Sequence, residues 1–144
     1  MAAGILLVSH TGVASTMLDT ATRIWHQQPV HTDYIEVDFD ADIEQTARLA
    51  EKKLMQLDEG DGVLVLTDLV GATPCNLVSS ISHLNTIVVS GLNLPMLIRA
   101  YNYSHKNLEE LAVIAVEGGQ RGIARLDSSV CSTVAGKIVR ASCR

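Results

Sequence analysis

Apolar residues gather in three short, uninterrupted runs along the chain, and each run has the length of a β-strand. The runs cover residues 5–8, Val63–Thr67 and Thr86–Ser90. A run without polar alternation is typical of a strand that is buried on both faces of a parallel sheet. Residues 33–38 instead alternate polar and apolar side chains, as a strand near a sheet edge does. The pattern therefore predicts a mostly parallel sheet.

Between these strands, apolar residues recur every three or four positions, which indicates helices that bury one face. The first predicted helix spans residues 13–27 and ends before Pro29. The second follows Asp40 as its N-cap and carries its apolar face along residues 43–57. A third helix is predicted from a cap and a proline instead of a stripe. Thr73 is its N-cap and Pro74 its first residue, and His83 lies near its end.

The last helices are also predicted from their ends. Pro95 suits the start of one helix. Asn107 and Glu110 have the spacing of a capping box for another helix over residues 108–117, which Gly118 and Gly119 are expected to end.

The C-terminal segment has a weaker pattern. Residues 120–126 are expected to add one or two helical turns, and residues 130–139 a last strand, antiparallel to the others. The alternation of strands and helices predicts an α/β fold, a single doubly wound domain with flavodoxin-like strand order over residues 1–126. Residues 127–144 form a C-terminal extension.

Composition narrows the class of partner. The net charge is −5, and no basic cluster is longer than Lys52 and Lys53, which argues against nucleic acid and anionic membranes as partners. There is no apolar run of membrane-spanning length and no basic leader before an apolar segment, so we expect a cytoplasmic protein. Cys75, Cys131 and Cys143 have no paired spacing, which predicts reduced thiols and no zinc site.

Two polar side chains follow directly on buried strands. His10 ends the first strand and Asp68 follows Val63–Thr67. In a flavodoxin-like order these strands are neighbours, and ligand crevices form at their carboxyl ends. A carboxylate on Nδ1 would leave the imidazole Nε2 unprotonated as a nucleophile. Gly71 and Thr73, with the first amides of the next helix, suit an anion that reaches Nε2. The pair therefore predicts a phosphoryl group held on His10.

These residues resemble the IIA component of the mannose/fructose (mannose-type) sugar phosphotransferase system. The resemblance covers residues 4 to about 126. It is carried by SHTG with His10, by VLVLTDLVGATPCN with Asp68, and by GLNLPML at residues 91–97. The VGATPCN loop fits this sugar branch better than the related phosphocarrier of dihydroxyacetone kinase.

The resemblance implies a phosphohistidine carrier. The carrier protein HPr would phosphorylate His10, Asp68 would be its hydrogen-bond partner, and a IIB component would accept the group. It also implies a homodimer, with a C-terminal strand exchanged between subunits, and neither metal nor cofactor. Thr11 and Val70 depart from the family, which often has glycine and an aromatic residue there. No IIB-like or membrane segment follows in this chain, so the acceptor is expected to be separate or absent.

Two other functions remain open at this point. The same phosphohistidine serves equally well in a regulatory phosphoprotein of an incomplete system with no role in sugar transport. Cys75, in the first turn of a predicted helix, forms with His10 and Asp68 the set of groups needed by a hydrolase. A buried, structural cysteine is the simpler interpretation. His26, His31 and His105 have no metal-ligand spacing.

Overall fold

The centre of the fold is a parallel sheet. A computed structural model describes residues 2–26, 31–69, 77, 80 and 85–127 of the chain. In chain order, its strands are β1 Gly4–His10, β2 Thr32–Val37, β3 Val63–Thr67 and β4 Thr86–Ser90. They pair in the order β2-β1-β3-β4, and every pairing is parallel. The predicted α/β fold and its flavodoxin-like strand order are therefore confirmed.

The helices in the described ranges follow the predicted pattern. They are α1 Ala14–Trp25, α2 Ile43–Leu57, α3 Leu94–Asn102 and α4 Leu108–Arg121. The predicted cap of α2 is wrong by two residues. Asp42, and not Asp40, accepts hydrogen bonds from the amides of Glu44 and Gln45, at 3.0 and 3.4 Å. The prediction failed because both aspartates precede the apolar stripe, and only the backbone path decides which carboxylate reaches the free amides.

The predicted end of α4 is also wrong. The helix continues through Gly118 and Gly119 to Arg121, and only residues 120–121 of the expected extra turns are helical. Both glycines are buried, and a Cβ atom built on Gly118 would lie 2.4 Å from Cγ of Arg99 on α3. The pair of glycines therefore lets α3 and α4 approach closely instead of ending the helix.

Alternate residues of the central strands feed two separate cores. Ile5 and Leu7 face a cluster that contains residues of α1, α3 and α4, whereas Leu6 and Val8 face a cluster that contains α2 and Leu77. Trp25, at the end of α1, is partly buried against the first cluster. The sheet is thus covered on both faces, as doubly wound folds require.

Several predictions fall outside the described residues. They are the N-cap Thr73, the start of its helix at Pro74, the end near His83, and the strand over residues 130–139. Leu77, inside that predicted helix, is described; it is helical and fully buried. No helix in the described ranges is long and apolar enough to cross a bilayer.

Candidate functional site

His10 and Asp68 meet at the carboxyl edge of the sheet. β1 and β3 pair in register, with Val8 opposite Thr67, so the residues that follow emerge side by side. One carboxylate oxygen, Oδ2 of Asp68, accepts from the backbone amide of His10 at 3.0 Å and lies 2.9 Å from His10 Nδ1. The strand order thus brings the two predicted residues into direct contact.

This contact determines the chemistry of the imidazole. An ionised carboxylate only accepts hydrogen bonds, so Nδ1 carries the proton and Nε2 keeps its lone pair. The His10 side chain is 22% exposed and that of Asp68 is 14% exposed. The imidazole is therefore held by a nearly buried carboxylate and remains accessible to a reactant.

Asp68 stays ionised although it is largely buried. Burial is the largest single influence on this carboxyl and acts to raise its pKa. The amide of His10, its imidazole and the attraction between the two groups act in the opposite direction and together lower the pKa of Asp68 below its ordinary value of 3.8. The site therefore supplies a negative charge that can stabilise a positive imidazole.

Other polar atoms at this edge are buried without a partner among the described residues. They are Oγ1 of Thr67, Oδ1 of Asp68 and Oγ of Ser90. Gly71, Thr73 and Cys75, which the sequence predicts for this site, lie outside the described residues, as does Val70. Their predicted roles therefore stay predictions.

Glu36, from β2, binds the start of α1. This residue was not among those predicted from the sequence. Its Oε2 accepts from the amide of Gly12 at 2.9 Å, the amide of Ser15 at 3.1 Å and the hydroxyl of Ser15 at 2.8 Å. Ser9 completes the cap, because its Oγ accepts from the amide of Ala14 at 2.9 Å. The residue at the N-cap position, Val13, makes no side-chain cap of its own. Two neighbouring strands therefore supply the groups that satisfy the first amides of α1.

Asp38 and Phe39 also belong to this edge. The hydroxyl of Thr11 donates to Oδ1 of Asp38, a contact that a glycine at this position cannot make. The ring of Phe39 lies 5.2 Å from the imidazole of His10, centroid to centroid, and the residue is 91% exposed. Thr11 therefore holds this turn to Asp38 through its side chain, and an aromatic ring lies beside the imidazole.

A positional signal for these residues existed in the sequence. β2 pairs with β1 so that Val37 lies opposite His10, which places the end of β2 beside the imidazole. The rule that ligand crevices form at the carboxyl ends of strands applies to β2 as it does to β1 and β3, and for β2 it points to residues 36–39.

Two of the other histidines in the described ranges make contacts of their own. His31 forms a long ion-pair contact with Glu59, 3.5 Å from its Nδ1, and His105 lies 6.3 Å from the ring of Tyr103. Within the described ranges, no cluster of three or more His, Cys, Asp or Glu side chains has the geometry of a metal site.

The sequence matches a family model across this whole region. The model, described as "PTS system fructose IIA component", matches residues 4–116, which include His10, Asp68 and most of the described chain. The chain belongs to this family. It is therefore a IIA component of the mannose/fructose type in the phosphotransferase system, as the resemblance implied.

Individual relatives agree with this assignment. The mannose-specific EIIAB component of Escherichia coli K12 is 29% identical over 132 residues, which are 88% of this chain and 40% of that protein. The chain thus spans well under half the length of the curated relatives it matches.

Solved structures show the same fold. The mannose/sorbose specific IIA subunit from Enterococcus faecalis is 28% identical, with a TM-score of 0.77 over 88% of this chain and 96% of that one. An EIIA component from Streptococcus agalactiae is 25% identical, with a TM-score of 0.76 over 89% of this chain and 98% of its own.

Proposed function

We propose that this IIA component is a phosphocarrier that accepts a phosphoryl group from HPr on Nε2 of His10 and passes it to a separate IIB component. The observation that carries the proposal is the contact between His10 Nδ1 and Asp68 Oδ2 at 2.9 Å. It leaves Nε2 as the free nucleophilic nitrogen of a partly exposed ring.

The transfer needs no atoms beyond the two imidazoles and the phosphoryl group. The N–P bond of the donor's phosphohistidine breaks, and that imidazole keeps the bonding electron pair. The lone pair on Nε2 of His10 forms the new N–P bond, which leaves positive charge on the ring. Asp68 stabilises this charge through the hydrogen bond from Nδ1. The same steps in reverse order pass the group to the acceptor.

Further residues around His10 bind the phosphoryl group and the partner proteins. Gly71 and Thr73 bind the phosphoryl oxygens, and the protein acts as a cytoplasmic homodimer. The exposed side chains of Phe39, beside the imidazole, and Leu69, directly after Asp68, are 91% and 60% accessible and supply apolar contacts to the partner proteins. Neither the regulatory role nor the hydrolase with Cys75 is favoured by a specific contact in the described residues.

The test is phosphorylation in a purified system. Phosphoenolpyruvate, enzyme I and HPr should place one acid-labile phosphate on the wild-type protein, and the His10→Ala variant should remain unlabelled. The matched control is His105→Ala, which removes an exposed histidine far along the chain. Label that survives in His10→Ala, or that is located on another histidine, contradicts the proposal.

Asp68→Asn tests the role of the carboxylate in the same assay. The amide can bind the other imidazole tautomer and carries no charge. Loss of one charge-assisted hydrogen bond, worth about 1.5–3 kcal/mol, should slow transfer by about 10- to 150-fold. An unchanged rate in a folded Asp68→Asn variant would remove Asp68 from the mechanism.

A further inference from the structure

The start of α1 lies directly after His10, and every backbone amide from Gly12 to Ser15 already has an acceptor. Gly12 and Ser15 donate to Oε2 of Glu36, at 2.9 and 3.1 Å. Val13 donates to the carbonyl of His10 at 3.3 Å, and Ala14 donates to Oγ of Ser9 at 2.9 Å. Free amides at a helix start are a favourable environment for a phosphate group. In this protein a carboxylate of its own occupies that environment.

We propose that Glu36 is a positioning residue that keeps the start of α1 closed to the phosphoryl group on His10. This role rests on the proposed phosphocarrier function. Glu36 acts through the amides of Gly12 and Ser15, which it holds so that they do not bind the phosphoryl oxygens. The result is a phosphohistidine that is less stabilised by the protein and therefore more readily passed on.

The charge of Glu36 strengthens this effect. Its carboxylate is compensated by two amides and one hydroxyl, and no ion pair with a lysine or arginine is recorded for it within the described ranges. A phosphoryl group adds about −1.5 to −2 charges near neutral pH. β2 and β1 are adjacent, and Glu36 on β2 lies opposite Ser9 on β1. Ser9 directly precedes His10, so the carboxylate of Glu36 lies on the strand next to the phosphorylated residue. Like charges at this spacing disfavour the phosphorylated form.

A phosphocarrier must bind the phosphoryl group well enough to accept it and weakly enough to pass it on. A phosphoryl group that gains strong new hydrogen bonds on arrival is trapped, because onward transfer must break them again. With the start of α1 already occupied by Glu36, His10 accepts the group without an additional gain from the amides of Gly12 and Ser15. The free energy of phosphoryl transfer from the donor to His10, and from His10 to the acceptor, then stays close to zero.

The first measurement is the equilibrium of phosphoryl transfer between HPr and this protein. The Glu36→Gln variant keeps the size of the side chain and removes its charge. We expect the equilibrium to shift toward the phosphorylated protein by about two- to fivefold, the usual range for one charge at a helix start. Return of the group to HPr should slow by a similar factor.

Two further variants separate this role from a merely structural one. Glu36→Ala removes the charge and also frees the amides of Gly12 and Ser15, so it should shift the equilibrium further toward the phosphorylated protein than Glu36→Gln does, whereas a merely structural role predicts that both variants lose phosphorylation. Asp40→Asn removes an exposed carboxylate from the same loop region and controls for net charge. An unshifted equilibrium in Glu36→Gln, a shift toward HPr, or an equal shift in Asp40→Asn overturns the role of Glu36.

A second measurement does not depend on HPr or on the folding of a variant. Phosphoramidate phosphorylates histidines chemically, so the wild-type protein can be labelled and compared by NMR before and after labelling. The amide protons of Gly12 and Ser15 should stay as protected from solvent exchange as before labelling and should show no hydrogen-bond coupling to phosphorus, although the added charge moves their chemical shifts. Displacement of Glu36 from these amides by the phosphoryl group overturns the inference. If HPr fails to label wild-type His10, the phosphocarrier function is wrong, and this arm still decides what Glu36 does.

Discussion

A single oxygen atom, Oδ2 of Asp68, fixes both the backbone and the imidazole of His10. It accepts from the amide at 3.0 Å and lies 2.9 Å from Nδ1. The position of the ring and its tautomer therefore depend on one carboxylate, and loss of its charge affects both. The contact also links the site to the stability of the fold, because it lowers the pKa of Asp68.

The pH dependence of stability should reveal this link. A carboxyl whose pKa is lower in the folded than in the unfolded state contributes stability above the unfolded value, near 3.8, and loses it as the pH falls through the folded value. We expect wild type to be more stable than Asp68→Asn at neutral pH and the difference to shrink in acid. Denaturant unfolding at a series of pH values measures it, with Asp40→Asn as the control. A difference that is constant across this range contradicts the prediction.

Much of the site was predictable at this scale. His10 and Asp68 were identified because each directly follows an apolar run, and parallel register brings such positions together. The end of β2 could have been identified by the same rule, but the contacts of Glu36 could not, because they depend on which amides its side chain reaches in the folded chain. Gly71 and Thr73 remain predictions, since both lie outside the described residues.

At the scale of elements, strand positions were predictable and helix ends were less so. Val63–Thr67 and Thr86–Ser90 match their predicted bounds, because uninterrupted apolar runs have clear edges. The end of α4 was misplaced because glycine is typical both of a helix end and of close helix packing. Only the contact with α3 distinguishes a helix end from close helix packing, and this tertiary contact is not visible in the sequence pattern of α4.

The packing of α3 on α4 leads to a prediction at Gly118. A methyl group there would lie 2.4 Å from Cγ and 2.5 Å from Cβ of Arg99. Alanine favours helix over glycine, but overpacking costs more, so Gly118→Ala should lower the free energy of unfolding by about 1–3 kcal/mol. Thermal or denaturant unfolding tests this, with the exposed Glu117→Ala as the matched control. A Gly118→Ala variant as stable as that control would show that the helices separate without cost.

At the scale of the whole molecule, one sheet joins two cores. Leu6 and Leu7 are consecutive and fully buried, yet they belong to clusters on opposite faces of the sheet. Both clusters contain residues of the central strands β1 and β3, so neither can persist when these two strands are lost. We therefore expect the two faces to unfold together.

Paired substitutions test this cooperativity. Leu6→Ala and Leu7→Ala should each lower the free energy of unfolding by about 2–5 kcal/mol and keep a single transition. The control Leu49→Ala, at a position that is 45% exposed on α2, should change stability far less. Two separate transitions, or a loss confined to one of the two variants, would mean that the faces are independent.

The packing of Trp25 makes this protein its own spectroscopic reporter. It is the single tryptophan of the chain, and it is partly buried against the first cluster at the far end of α1. Trp25 is the last of the twelve residues of α1, so it lies about 17 Å from the first residue at the usual rise per residue. Its fluorescence should therefore change when α1 detaches from the sheet and should not change when His10 is phosphorylated. The unfolding of the phosphorylated and of the unphosphorylated protein can then be compared with the same intrinsic signal, without an attached dye.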